Sequence, residues 1–216
     1  MKKFTLAILL FASITLQAQV HIGPGQTYNN IYDAQAAGVI LPGDTVYCHG
    51  GIYTGGWQGI SNLHGDASNW ITITRYQNDA MEINGCWQFM SCSYIKFQNL
   101  TFKANATYPG RHLNVDNSGD CATQSHHIII DSCYFLDETD AAASAAVKFG
   151  GVDSFEVRNC IIRNAAVEGW GFNVCHHGTV IGCVFENMPI GAHCKGGALD
   201  ITNERKKETI NKRIYT

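Results

Sequence analysis

Residues 126–135 read HHIIIDSCYF, residues 153–162 read DSFEVRNCII and residues 176–185 read HHGTVIGCVF. Laid over one another, they keep one chemistry at each position. Ser132, Asn159 and Gly182 share a turn-like position, and Ile130, Val157 and Val180 lie two residues before it. Cys133, Cys160 and Cys183 follow it directly, and Phe135, Ile162 and Phe185 come three residues after it. The frame extends back to residues 93–102, SYIKFQNLTF, through Phe97, Asn99, Leu100 and Phe102. It extends forward to residues 197–206, GALDITNERK, through Ile201 and Asn203. Successive turn positions are 33, 27, 23 and 21 residues apart.

Alternation of apolar and polar residues over a few positions is a strand signal, and the Gly, Asn, Asp and Ser between the units mark turns. A short strand buries little by itself. Stacking each coil on the next at about 4.8 Å gives every strand a partner and builds one continuous core. Fixed strand positions with variable intervals predict a right-handed parallel β-helix of about six or seven coils, with loops of unequal length on its sides. An antiparallel sandwich also has many short strands, but it needs no like residues at like positions. Earlier strands are expected at Thr45-Val-Tyr-Cys and Trp70-Ile-Thr-Ile-Thr. A short cap helix is expected within residues 28–38, where Ile31, Ala34 and Ala37 can share a face.

The chain divides into three unlike segments. Residues 1–18, MKKFTLAILLFASITLQA, have two lysines, an apolar run and a small residue at the end. This is the pattern of a secretory signal peptide cut near Ala18 or Gln19, so the mature chain is expected to be secreted or periplasmic. No later stretch is apolar enough for a membrane span. From Val20 to Asn203 there are 8 Lys and Arg against 16 Asp and Glu; residues 204–216 carry 5 against 2. Glu204 and Lys206 fall where the repeat calls for apolar core residues. Residues 19–203 are therefore expected to form the solenoid, and residues 204–216 a basic tail outside it. A natural polar cap and a fragment with a shifted reading frame both fit that break. A net charge of −3 gives no reason to expect a nucleic-acid partner. A length of 216 residues suits one domain.

Residues 25–55, GQTYNNIYDAQAAGVILPGDTVYCHGGIYTG, resemble the opening of secreted right-handed parallel β-helix proteins of the pectin-lyase-like superfamily. The Pro-Gly-Asp-Thr-Val strand and the Gly-x-Tyr turn carry the likeness, which runs from about Gln26 to Thr202. That superfamily includes polysaccharide lyases, glycoside hydrolases, epimerases and proteins without known catalysis. The resemblance thus implies a fold and an acidic polysaccharide partner more strongly than a reaction.

β-Elimination of a uronate needs a base and a cation to neutralise the carboxylate. Lys195, in the turn Cys194-Lys-Gly-Gly, is the candidate base, with Lys148 and His193 on neighbouring coils. Its resemblance to alginate- and chondroitin-lyase-like members supports a lysine there; those enzymes pair it with an Arg one coil later, beyond the last patterned coil here. An exposed turn lysine is the alternative. Arg111, His112 and Trp170 are candidate substrate-binding residues, and Trp57, Trp70 and Trp87 widen the choice of sugar-stacking rings for a binding-only protein. Asp137, Glu138 and Asp140 form an acidic loop with the hard oxygen donors that Ca²⁺ prefers. Glu168 and Glu186 are the isolated carboxylates a glycoside hydrolase would need as a pair. No G-x-S-x-G supports a serine nucleophile. The chain is expected to be a monomer.

Nine cysteines leave at least one thiol unpaired. The inward position of Cys133, Cys160 and Cys183 suggests a stack of buried thiols; disulfides and a metal are the alternatives. His126, Asp153 and His176 should form a second stack just before the strands, either hydrogen-bonded or metal-binding.

Overall fold

The computed structural model describes residues 19–117, 123–143, 145–202 and 213–215, with the backbone alone described from residue 196 onward. The proposed signal peptide, Cys121 and residues 203–212 lie outside the described residues. Seventeen strands pair in parallel and wind through about six turns. One short helix, Ile31–Ala36, packs Ile31 and Ala34 into the first coil. Asn30 caps it, its side chain accepting a hydrogen bond from the Asp33 amide at 2.9 Å. Ala37 is the exposed C-cap instead of a core residue, because the helix ends one residue before it.

Three parallel sheets run along the solenoid. The first contains Thr45–Cys48, Ile71–Arg75, Ser93–Gln98, His126–Asp131 and Asp153–Arg158, so both early strands fall where the sequence puts them. The second contains the short strands Thr101–Lys103, Tyr134–Leu136, Ile161–Arg163 and Val184–Glu186. The third contains Leu113–Asp116, Val147–Gly150 and the first halves of Glu168–Ile181 and Ile190–Thr202. Longer strands bend and serve two sheets. Gly51–Ser61 and Met81–Met90 do so at Gly56 and Gly85, with φ of 65° and 149°. A Cβ at Gly85 would collide with the Gly56 carbonyl, so two coils turn this corner in contact only because Gly85 lacks a side chain.

The register puts like on like. Phe102, Phe135, Ile162 and Phe185 pair in order along the second sheet, and the rings of Phe102 and Phe135 stack at 5.1 Å. Phe97, Ile130, Val157 and Val180 form the matching file in the first sheet. Between these sheets the chain turns at Asn99, Ser132, Asn159 and Gly182, all left-handed, with φ from 54° to 63°. Asn, Ser and Gly tolerate that conformation better than bulkier residues do. The next residue fills the corner: Leu100, Cys133, Cys160 and Cys183 are all buried.

Eight cysteines are described, and all are free and buried. The Cys160 and Cys183 thiols point at the carbonyls of Ile130 and Val157 on the preceding coil. Burial holds the Cys160 thiol well above its ordinary pKa; for Cys183 the bond to Cys160 and then burial do the same. Unreactive thiols that pack as small apolar groups fit the inward stack.

A second ladder closes the far end of the second sheet. Asp137, Asn164 and Asn187 are left-handed residues on successive coils. Asn164 donates to Asp137 at 2.7 Å and Asn187 donates to Asn164 at 3.0 Å. Residues 213–215 return as a strand beside His193–Lys195. Part of the tail expected outside the solenoid therefore adds a rung to the third sheet.

Candidate functional site

The outward face of the third sheet carries the chemistry. Side chains alternate along a strand, so Phe89, Val115, Phe149 and Phe172 point inward while their neighbours point out. One outward column runs Gln88, Asn114, Lys148, Gly171 and His193. The next runs Met90, Asp116, Gly150, Asn173 and Lys195. A groove of ≈ 590 Å³ lies over part of these columns, lined by Gln88, Asn114, Asp116, Lys148 and Asn173, with His193 and Lys195 outside its lining.

Hydrogen bonds fix part of that lining. Asp116 accepts from Gln88 at 2.7 Å and from Asn114 at 2.8 Å, both at the same carboxylate oxygen. Farther along, His193 Nδ1 lies 2.9 Å from Glu168 Oε1. Glu168 reaches the imidazole across Gly171, where a Cβ would meet its other oxygen at 3.3 Å. A carboxylate bonded to one ring nitrogen orients the imidazole. The register sets Lys148 in the same column as His193, two coils away, and Lys195 in the adjacent column beside Asn173. Lys148, His193 and Lys195 thus share one face. Glu168 was expected only as a lone hydrolase carboxylate; a pattern of strand positions contains no sign that it bonds His193.

Other expectations change. His112 and Trp170 cannot touch a substrate, because both are inside, with 1% and 0% of their surface exposed. His112 sits near Phe102 and Phe135, and burial lowers its pKa to about 4. Trp170 packs against Phe135, Phe149 and Phe172. Arg111 stays at the surface, its guanidinium donating to the Ala143 and Ala145 carbonyls. Trp57 is 55% exposed, whereas Trp87 is buried. Glu186 pairs with Arg163 at 2.6 Å.

The acidic loop turns toward its own backbone. Asp137 accepts from Asn164; Glu138 accepts from the Asp140 amide at 2.7 Å and the Ala166 amide at 3.0 Å. Asp140 accepts from the Ala142 amide at 2.9 Å. Burial raises the Glu138 pKa against the pull of those two amides. Among the described residues no group of three His, Cys, Asp or Glu side chains is placed to hold a metal ion. The column of His126, Asp153 and His176 has the expected register, but Asp153 pairs at 2.6 Å with His177, and His126 with His127 at 2.8 Å.

Three parallel sheets on one axis, with side-chain files running through them, define a parallel β-helix. No family model matches the chain, and no curated protein matches its sequence. Two solved structures are similar. A GH136 lacto-N-biosidase from Eubacterium ramulus matches with a TM-score of 0.49 at 11% identity, over 85% of this chain and 52% of that one. A rhamnogalacturonan lyase matches with a TM-score of 0.43 at 9% identity, over 90% of this chain and 64% of that one. The chain therefore spans less than two thirds of either. Among the described residues no helix is long and apolar enough to cross a membrane.

Proposed function

We propose that this chain is an exported protein that acts on an acidic polysaccharide along the outward face of its third sheet, as a β-eliminating lyase. The supporting observation is the convergence of Lys148, His193 and Lys195 on that face, beside a groove lined by amides and one carboxylate. Two ammonium groups suit the carboxylate of a uronate. An open groove on a sheet face suits an extended chain better than a compact small molecule.

In this reading His193, steadied by Glu168 through Nδ1, accepts the proton from the carbon beside the uronate carboxylate at Nε2, an atom that is buried in the structure and that substrate binding has to uncover. The electron pair of that C–H bond forms the new C=C bond. The C–O bond to the departing sugar breaks, and its oxygen takes the proton that His193 accepted, which restores the base. Lys148 and Lys195 offset the charge that builds on the carboxylate. Histidine is favoured over Lys195 as the base because Glu168 holds the imidazole in place.

The test is incubation of the chain with alginate, chondroitin and pectate, with and without Ca²⁺, while following the ultraviolet absorbance of unsaturated uronates. Absorbance that disappears in His193→Ala and survives in Lys195→Ala supports the assignment. The reverse pattern makes Lys195 the base. New reducing ends without that absorbance identify a hydrolase, and binding without either signal identifies a binding module.

A further inference from the structure

A second hollow, of ≈ 430 Å³, opens on the same sheet face and is lined by Trp57, Cys86, Tyr108, Pro109, Arg111 and Ala143 among others. We propose that it is an aromatic subsite that stacks one pyranose ring of the polysaccharide on Trp57. This inference rests on the reading of the groove as the polysaccharide site and extends it to where the chain continues.

Four observations carry it. First, Trp57 is 55% exposed, and its indole N–H is already bonded to Gln88 Oε1 at 2.6 Å. The ring is thereby held by its edge, which leaves its surface available to the apolar C–H face of a sugar. Second, the same Gln88 lines the groove and donates to Asp116, which Asn114 also contacts. One hydrogen-bonded chain from Trp57 to Asp116 therefore joins the two hollows. Third, the bed of the hollow is shaped. A Cβ at Gly56 would meet the Tyr108 ring at 2.9 Å, so only glycine lets Tyr108 lie against the strand beside Trp57. Fourth, Arg111 is tethered to the Ala143 and Ala145 carbonyls and places a cation at this wall. The Cys86 thiol in the lining has its pKa raised to about 12 by burial, so it stays protonated and adds no charge.

Span decides what fits. Cys86, Gln88 and Met90 are alternate residues of one strand, and the two hollows open over its two ends. At about 3.3 Å per residue, that stretch is about 13 Å long. A single pyranose cannot reach from one hollow to the other, whereas an oligosaccharide of several rings can.

The experiment titrates the full chain with galacturonate, alginate and chondroitin oligosaccharides of two and of six sugars, following tryptophan emission and, separately, affinity by calorimetry. For a hexasaccharide that binds, wild-type emission should change, and Trp57→Ala should abolish the change and weaken binding roughly two- to tenfold. Lys148→Ala should weaken both lengths. If Lys148→Ala weakens the hexasaccharide while Trp57→Ala leaves its affinity unaltered, the aromatic subsite is wrong and the groove reading stands. If no oligosaccharide binds the wild type, both are wrong. Trp57→Phe separates stacking from folding: it should keep most of the affinity if the ring is what matters.

Discussion

The interior and the outward face of the same coils follow opposite rules. Inside the second sheet, Phe102, Phe135, Ile162 and Phe185 repeat one apolar chemistry down the stack. Outside the third sheet, Gln88, Asn114, Lys148, Gly171 and His193 occupy one column with two amides, an ammonium, a bare backbone and an imidazole. The reason is the neighbours each side chain has. An inward residue touches its equivalents about 4.8 Å above and below, so a change of size or charge is felt by both coils. An outward residue packs less tightly against its equivalents and can differ from coil to coil. A site, which requires different groups close together, can therefore be assembled on the outside of a fold whose first two sheets keep one chemistry inside.

The sharpest way to break the inner rule is to empty one position of a file. Phe135 is fully buried, stacked on Phe102 and edge-on to Trp170. Phe135→Ala should cost about 3–5 kcal/mol, read as a fall in the midpoint of urea unfolding. A loss under about 1 kcal/mol would mean that the files are not what holds the coils together.

His112 is a polar exception within the interior, and it gives the next largest effect. Its folded pKa of about 4 lies below the ordinary value because burial disfavours the charged ring; the Leu136 carbonyl and the Asp137 carboxylate pull weakly the other way. The unfolded chain takes up this proton below about pH 6.5, the folded chain only near pH 4, so stability should fall as pH drops through that window. The full difference is about 3 kcal/mol. His112→Leu should flatten the decline relative to wild type in melts recorded from pH 7 to pH 4. Parallel curves for the two proteins would show that His112 is hydrated in the folded state.

These contrasts also explain what could be read from the sequence. The first two sheets were legible because Asn99, Ser132, Asn159 and Gly182 mark the same corner, and the strands on both sides keep a fixed distance from it. The third sheet was not. One of its two inward files, Trp87, Leu113, Val147, Trp170 and Ala192, mixes very different sizes. The loops before it vary in length, so no fixed offset leads from the corner to these strands. Trp170 consequently reads as a surface ring and His112 as a ligand, although both fill the core. The candidate site lies on this least legible sheet. Lys148, His193 and Lys195 could be named by residue type, but their shared face depends on pairings that the intervals conceal. Glu168 reaches His193 across the bare backbone of Gly171, a relation between three residues on two coils.

The smallest expected effect on stability tests the outer rule. Lys148 faces the groove and belongs to a column whose members already differ from coil to coil. Lys148→Met keeps the side chain's length and removes its charge. Because its neighbours in the column, Asn114 and Gly171, make no matching file with it, stability should move by no more than about 0.5 kcal/mol. Affinity for an acidic oligosaccharide should nevertheless fall, and the loss should shrink as salt is added, since an exposed charge is screened within about 8–10 Å at moderate ionic strength. A substitution that destabilised the fold as Phe135→Ala does would place Lys148 among the structural columns. One that changed neither stability nor salt-dependent binding would remove it from the site and leave Lys195 as the one lysine of that face on which the acidic ligand was inferred.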